Sequence, residues 1–514
     1  MLNATSIARL YARRRLRKLA RMDPADVQQR QLLGLVGRAA RTEFGRDHDF
    51  SNIRSVTEYQ KRVPLRRYED FNEKYWKKSF PDLRGVSWPG AVPFFAVTSG
   101  TTTGRTKYIP CTHEMVSSNT VAGLDLICHH LSNRPESRVL GGKSFMLGGS
   151  TDLVQEAKGI RSGDLSGIMS ANLPWWFRGR TFPPDDLTQI TDWEEKMTRL
   201  VAAIEGEDIR LLGGTPSWLL LFFDQIAQAH GDARPELAKY FPNLELLIHG
   251  GVDFKPYRHR FESLIAGTPA ELREVYPASE GFIGMADAGP EDGLRLMLDN
   301  GLFYEFVPVE ELDADRPTRR WVGTVQTGIN YAIVLTTCAG LWSYVVGDTV
   351  EFVSLDPLRV KITGRTSYML SAFGEHLIAS ELEAAIRDGA AAIGAEITDW
   401  SVGAIHADNE DSRGGHLYVV EFANAPPSEA RMTHFAKTVD TALSKTNEDY
   451  EAHRSGDFGM RMPDAIAVPP GTFAAWMKSR GQLGGQHKVP RIINDTEMFD
   501  GLREFVTGER RSDS

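Results

Sequence analysis

The stretch Phe94-Phe95-Ala96-Val97-Thr98-Ser99-Gly100-Thr101-Thr102-Thr103-Gly104-Arg105-Thr106-Lys107 couples an apolar run, read as a buried strand, to a loop of hydroxyls, glycines and two cations. Glycine lets a backbone approach a ligand closely, hydroxyls and bare amides wrap phosphate oxygens, and a lysine adds a point charge. The stretch therefore reads as a phosphate-binding loop at a strand end. It is not a Walker A loop, because the Gly-Lys-Ser/Thr ending is absent. Taken alone, a Ser/Thr/Gly-rich surface turn would look the same.

Further along the chain, up to about residue 365, short β-rich runs end in Gly, Thr, Ser or Asp: Leu244–His249, Ala332–Thr337 and Thr349–Val353. Helical patterns at Asp192–Ile204 and Trp218–Ala229 alternate with them. That alternation predicts an α/β sheet, in which ligands bind beyond the carboxyl ends of strands. Residues 301–360 read mostly as strands, a β-rich subdomain within a large N-terminal domain spanning 1–365. Beyond Arg365 the pattern becomes helix Ser380–Ile386, strands Trp400–Ile405 and His416–Phe422, and helix Glu429–Leu443. A small α+β domain over 366–514 is expected.

Length and composition agree with this organisation. A chain of 514 residues exceeds one core of usual size, and 41% apolar with 25% charged residues is ordinary for a folded protein. A net charge of −9 argues against nucleic acid as a partner. No run approaches the roughly 18–20 apolar residues of a membrane span, and the N-terminus lacks a signal peptide's apolar core, so a cytoplasmic enzyme is expected. Cys111, Cys128 and Cys338 are too few and scattered for a disulfide framework or a zinc site and read as reduced and structural. Residues 1–21 hold seven Arg or Lys and no acid. They read as a basic amphipathic helix laid on an acidic flank of its own domain, with a transit peptide or membrane-surface helix as alternatives.

Three further segments carry candidate chemistry. In Glu274-Val275-Tyr276-Pro277-Ala278-Ser279-Glu280-Gly281, a carboxylate after a strand can hold Mg2+, which keeps most of its waters and bridges to nucleotide phosphates. In Leu341-Trp342-Ser343-Tyr344-Val345-Val346-Gly347-Asp348, with Gly364-Arg365 following, an Asp after a Gly turn can accept from two ribose hydroxyls and an Arg can pair with phosphate. In Gly484-Gly485-Gln486-His487-Lys488-Val489-Pro490-Arg491, a Lys between a flexible Gly pair and a stiff Val-Pro can deliver an ammonium to a remote site. Singly, a surface turn, a turn dipeptide and a solvated loop explain these three equally well. His113, His129 and His130 show no metal-ligand spacing.

In their order and separations, the four segments resemble the adenylate-forming superfamily of acyl and aryl coenzyme A ligases, peptide-synthetase adenylation domains and luciferase. A narrower resemblance is to the Gretchen Hagen three family of acyl-acid amido synthetases and its bacterial-type members. Phe44–Phe50, Tyr59–Leu65 followed by Tyr68-Glu69-Asp70, and Tyr331–Asp348 carry that match, so the likeness runs from about residue 40 to about 495. It implies a large N-terminal domain and a small mobile C-terminal one, ATP with Mg2+, AMP as product, and a carboxylic acid and an amine, an amino acid above all, as substrates.

Carried over by residue, the resemblance makes Ser99, Gly100, Thr101, Thr102 and Lys107 phosphate contacts, and Tyr276, Ser279 and Glu280 adenylate contacts with Glu280 on Mg2+. Gly250, Gly251 and Val252 would pack on adenine, Asp348 would take the ribose, Arg365 would sit at the hinge, and Lys488 would assist adenylation alongside Glu280. The acyl pocket is expected within Leu124–Gln228, where Trp175-Trp176-Phe177 and Phe222-Phe223 are either its walls or plain core.

The chain also departs from the family pattern. One hydroxyl is lost in Tyr276-Pro277-Ala278-Ser279-Glu280, two arginines are lost in Trp342-Ser343-Tyr344-Val345-Val346, and Phe373-Gly374-Glu375-His376-Leu377 looks more like the aryl coenzyme A ligases. Three functions therefore compete: an acyl-acid amido synthetase, a coenzyme A ligase with a thiol acceptor, and a non-catalytic adenylate-binding regulator. Lys107, Glu280, Asp348 and Lys488, all present, speak against the last.

Overall fold

The computed structural model describes residues 4–98, 107–148, 150–174, 177, 179–190, 193–251, 254, 257–289, 292–366, 369–370, 375, 377–405, 414–447, 450–451, 454, 460–482, 488–493 and 495–508. Among them the chain forms two compact units. The first takes residues up to Ile362 apart from Gly347–Thr349; the second takes Gly347–Thr349 and the residues from Thr363 on.

A 12-stranded sheet organises the first unit. Strands Thr181–Phe182, Lys143–Leu147, Ile209–Gly214, Leu246–Gly250 and Glu271–Ala278 lie side by side and parallel. Parallel strands need crossovers and are buried on both faces, and strand Leu246–Gly250 shows it. Leu247 enters a core with Phe222, Phe223 and Phe261, while Leu246 and Ile248 enter one with Ala122 and Leu126. Phe222 and Phe223 are thus fully buried core rings rather than pocket walls. From Gly281–Met285 onward the sheet turns antiparallel. Strands Leu302–Pro308 and Asn330–Thr337, with Tyr344–Leu355 and Leu358–Arg365, form the β-rich stretch that the sequence predicts.

Helices close both sides of this sheet. Helix His113–Asn133 begins at Thr112, whose hydroxyl accepts from Met115 N, and its His130 Nδ1 bonds Glu271 at 2.6 Å. Glu271, the first residue of the strand leading to Tyr276–Ala278, is also bonded by Arg134 and Arg273 at 3.0 Å. Burial opposes ionisation of Glu271, but the His130 and Arg273 hydrogen bonds outweigh it and hold the carboxyl down at about 2. A pKa lowered on folding contributes stability above the unfolded value of ~4.3 that is lost as pH falls through about 2. Glu271→Gln is accordingly expected to lower stability by roughly 1–3 kcal/mol at pH 7. In urea unfolding at a series of pH values, the deficit should hold down to about pH 4.5 and shrink below it.

The N-terminal basic segment forms helix Thr5–Leu19, laid on an acidic flank of the first unit as expected. Arg15 is buried and grips Asp125 and Asp299 through four hydrogen bonds of 2.6–2.8 Å. The three cysteines are free and buried, in keeping with the structural role expected of them.

The second unit is built on a four-stranded sheet in the order Asp464–Val468, Gly415–Phe422, Ile397–Ile405, Ile492–Ile493. Alternate residues face opposite sides: Tyr418 and Val420 join the core shared with helices Ala379–Ala392 and Glu429–Thr446, and Leu417 and Val419 that with helices Thr472–Ser479 and Thr496–Thr507. Glu375 is buried here and bonded to His416 Nε2 at 2.8 Å. That pair ties the one polar residue described in the segment 373–377 into the core of the unit.

Candidate active site

Glu280 stands at the tip of a hairpin rather than simply after a strand. Strands Glu271–Ala278 and Gly281–Met285 pair with Ala278 opposite Gly281, leaving Ser279 and Glu280 as the two-residue loop. Gly281 permits the return, since a Cβ there would come within 3.0 Å of the Leu302 side chain. The neighbouring parallel strand sets Gly250 opposite Val275, one residue before Tyr276. A Cβ on Gly250 would lie 2.3 Å from the Val275 carbonyl oxygen, so only glycine fits, and Gly251 takes a φ of +85°. Gly250, Gly251, Tyr276, Ser279 and Glu280 are thereby brought together at one end of two adjacent strands, with Tyr276 and Glu280 buried.

Sequence reasoning missed the partner of this carboxylate. The fully buried Tyr344 hydroxyl is hydrogen-bonded to Glu280; burial first, and then that charge, raise the phenol well above its ordinary pKa. The phenol therefore stays protonated and donates to the carboxylate. Tyr344 is held in turn by its backbone: Arg66 N donates to Ser343 O at 3.0 Å and Val345 N to Arg66 O at 2.8 Å.

Ser343 adopts φ +46°, an uncommon conformation for a residue with a Cβ, and the surroundings fix it. Its amide donates to Thr336 Oγ1 at 3.0 Å and its hydroxyl to Glu305 at 2.9 Å. Where the resemblance expects an arginine at position 343, a guanidinium arrives from Arg319 instead, bonding Ser343 Oγ at 2.7 Å and both Glu305 oxygens at 2.9 Å. The family-specific segments also converge here: Tyr59 shares a 2.6 Å hydrogen bond with Thr336, and Phe50 meets Trp342 edge-on at 4.7 Å. Nothing local in the sequence signals these partners beyond the family likeness of the segments themselves.

The strands on either side of the hydroxyl-rich stretch are neighbours in one sheet. Strand Phe94–Thr98 pairs antiparallel with Lys107–Cys111, Thr98 opposite Lys107. Lys107 Nζ lies 5.7 Å from the ring centre of Tyr68, whose hydroxyl accepts from Tyr108 N at 3.0 Å. Ser99, Gly100, Thr101, Thr102 and Val252 lie outside the described residues.

The remaining candidates belong to the second unit. Asp348 lies inside strand Tyr344–Leu355, after Gly347 with φ +97°, instead of following a simple turn. Strand Leu358–Arg365 runs beside it, Thr363 Oγ1 bonding Thr349 Oγ1 at 2.9 Å and Thr366 N bonding Gly347 O at 2.6 Å. Asp348 and Arg365 thus share one end of a hairpin. Lys488 is exposed, and the residues after it are tied down: Ser401 Oγ donates to Pro490 O at 2.7 Å, Val402 N to Arg491 O at 2.8 Å, and Arg491 pairs with Asp399.

A glycine turn beside a buried hairpin carboxylate, and a small second unit carrying an exposed lysine, are set on a fold found in known enzymes. That fold is shared with 2-hydroxyisobutyryl-CoA ligase in the postadenylation state with 2-HIB-AMP (TM-score 0.59, 16% identity, 93% of this chain and 91% of that one). The likeness is greater to the GH3.15 acyl acid amido synthetase, with a TM-score of 0.78 at 18% identity over 95% of this chain and 94% of that one. The chain belongs to the GH3 family: residues 13–221 match the GH3 family N-terminal domain, 295–365 its central domain and 380–497 its C-terminal domain. The indole-3-acetic acid-amido synthetase GH3.4 of Arabidopsis thaliana is 21% identical over 96% of this chain and 93% of its own length. For GH3.3 of the same plant the matched segment spans 47% of the relative, about half its length.

Proposed function

We propose that this chain is an ATP-dependent acyl-acid amido synthetase, activating a small carboxylic acid as an acyl-AMP and transferring the acyl group to an amine, an amino acid above all. The observation that carries this reading is that all three domains of the GH3 family match in order along the chain. The buried hairpin carboxylate supports it. In the first step the acid attacks the ATP α-phosphorus and pyrophosphate leaves, with Ser99, Gly100, Thr101, Thr102 and Lys107 on the departing phosphates. Gly250, Gly251, Val252, Tyr276 and Ser279 shape the adenine and adenylate site, and Asp348 binds the ribose. Positioning and charge stabilisation dominate such chemistry.

Glu280 fits a Mg2+ site of the kind that takes one protein carboxylate and completes its shell with phosphate and water. Among the described residues no cluster of three or more acidic, His or Cys side chains offers an all-protein cage. The ion would neutralise phosphate charge there. In the second step the amine nitrogen attacks the acyl carbon and AMP leaves, the small domain from about Arg365 onward pivoting between the two steps. No helix among the described residues is long and apolar enough to cross a membrane. We place the enzyme in the cytoplasm.

A thiol acceptor is the competing reading, and the 2-hydroxyisobutyryl-CoA ligase fold keeps it in play. Pyrophosphate and AMP release over a panel of carboxylic acids, with amino acids or coenzyme A added in turn, decides it. Amino-acid-dependent AMP release with an amide product is expected; thiol-dependent release alone would transfer the chain to the ligases of coenzyme A. ATP binding without pyrophosphate release from any acid would make it a regulator.

A further inference from the structure

Helix Thr5–Leu19 is fixed on one side and bare on the other. Its inner face buries Thr5, Ala12 and Arg15, and Arg9 Nη2 donates to Ser137 O at 2.6 Å. The Arg15 pairs with Asp125 and Asp299 hold the helix without help from its outer side chains. On the outer face, Ile7, Leu10, Arg14 and Arg17 follow one another at spacings of three and four, forming a single stripe, and Arg21 lies two residues past the helix end.

That stripe is apolar at its start and cationic at its end. Ile7 is 78% exposed, Leu10 71% and Tyr11 45%, three large apolar side chains left in water within five residues. Arg13, Arg14, Arg17 and Arg21 follow, all exposed, and none has a carboxylate partner among the described residues. Residues 1–21 carry seven cations and no acid, although the whole chain is at −9, so this helix is a positive island on an acidic protein.

We propose that the outer face of this helix docks the protein on an anionic membrane surface. Ile7, Leu10 and Tyr11 enter the boundary between headgroups and acyl chains, and Arg13, Arg14, Arg17 and Arg21 pair with lipid phosphates and anionic headgroups. Charge selects this occupant. A second copy would bring two faces of the same sign together at a symmetric interface, and an acidic protein surface would leave the apolar tip without a hydrocarbon phase to enter. Docking leaves the Arg15 anchor untouched, so the fold and the active site are the same on and off the surface.

Cosedimentation of the full chain with phosphatidylcholine vesicles, with and without about 30 mol% phosphatidylserine, tests this. The bound fraction is expected to rise at least ~10-fold with phosphatidylserine and to fall back in about 0.5 M salt. Each exposed arginine is worth about fivefold in partitioning, so Arg14→Glu/Arg17→Glu/Arg21→Glu should lose at least ~100-fold. Ile7→Ser/Leu10→Ser should also weaken binding to the anionic vesicles, while both variants keep the melting temperature and the pyrophosphate exchange of the parent. Equal binding to the two vesicle types, no binding to either, or parental binding by the charge-reversed variant overturns the proposal. Capture by soluble polyaspartate without capture by vesicles also overturns it, in favour of an acidic protein partner.

Discussion

Lys488→Ala is expected to slow acyl-AMP formation by at least ~100-fold while ATP still binds, because one preorganised charge at a developing anion is worth about 10²–10³ in rate. The side chain is exposed and the chain behind it is pinned to strand Ile397–Ile405 through Ser401, Val402 and Arg491. Such an arrangement holds the root of the lysine while its ammonium is delivered elsewhere. ATP–pyrophosphate exchange measures the chemical step, and calorimetric titration with ATP measures binding. If exchange in the variant matched the parent, Lys488 would lose its part in adenylation. Loss of both signals together would instead show a binding role.

Arg319→Met should be the most damaging single change to stability. Glu305 is fully buried, and Arg319 supplies its cation, with further hydrogen bonds from Arg319 to Gln60 O at 2.8 Å and to Val63 O. Removing one partner of a buried pair leaves an uncompensated charge, at about 3–5 kcal/mol, whereas replacing both partners by apolar groups is often close to neutral. The single variant is expected to melt about 5 °C lower, and Arg319→Met/Glu305→Leu to recover much of that loss. Pyrophosphate exchange should fall in the single variant as well, because Ser343 loses its anchor and Tyr344, the next residue, carries the hydrogen bond to Glu280. A drop of under about 1 kcal/mol would show that the pair is not what holds this segment.

Much of the architecture is legible in the residues because its signals are local. The helices predicted at Asp192–Ile204 and Glu429–Leu443 form as Trp193–Ala203 and Glu429–Thr446, and the strand expected at Leu244–His249 forms as Leu246–Gly250. Periodicity survives folding when an element packs by its own apolar face. Turn chemistry was harder to read. Ser279-Glu280 looks like a loop after a strand, but Gly281–Met285 returns directly alongside it, a pairing that depends on sheet partners further along the chain. Phe222-Phe223 left pocket wall and plain core both open, since aromatic pairs serve cores and pockets alike; their helix face decided for the core.

The order and spacing of the four candidate segments, and with them the class of fold, were legible in the sequence alone. Loops that approach phosphate or ribose need particular residues within a few positions of one another, and backbone geometry makes that pattern local. Only the tertiary structure decided what stands behind those residues. Tyr59 meets Thr336 across 277 positions, Arg15 meets Asp299 across 284, and Arg319 brings its guanidinium to Ser343 from another part of the chain. A buried charge or hydroxyl requires a partner but does not prescribe which element supplies it, so an arginine absent from one strand can be replaced from another. The support of Glu280 by Tyr344, and the exposure of one face of the basic helix, follow from that packing.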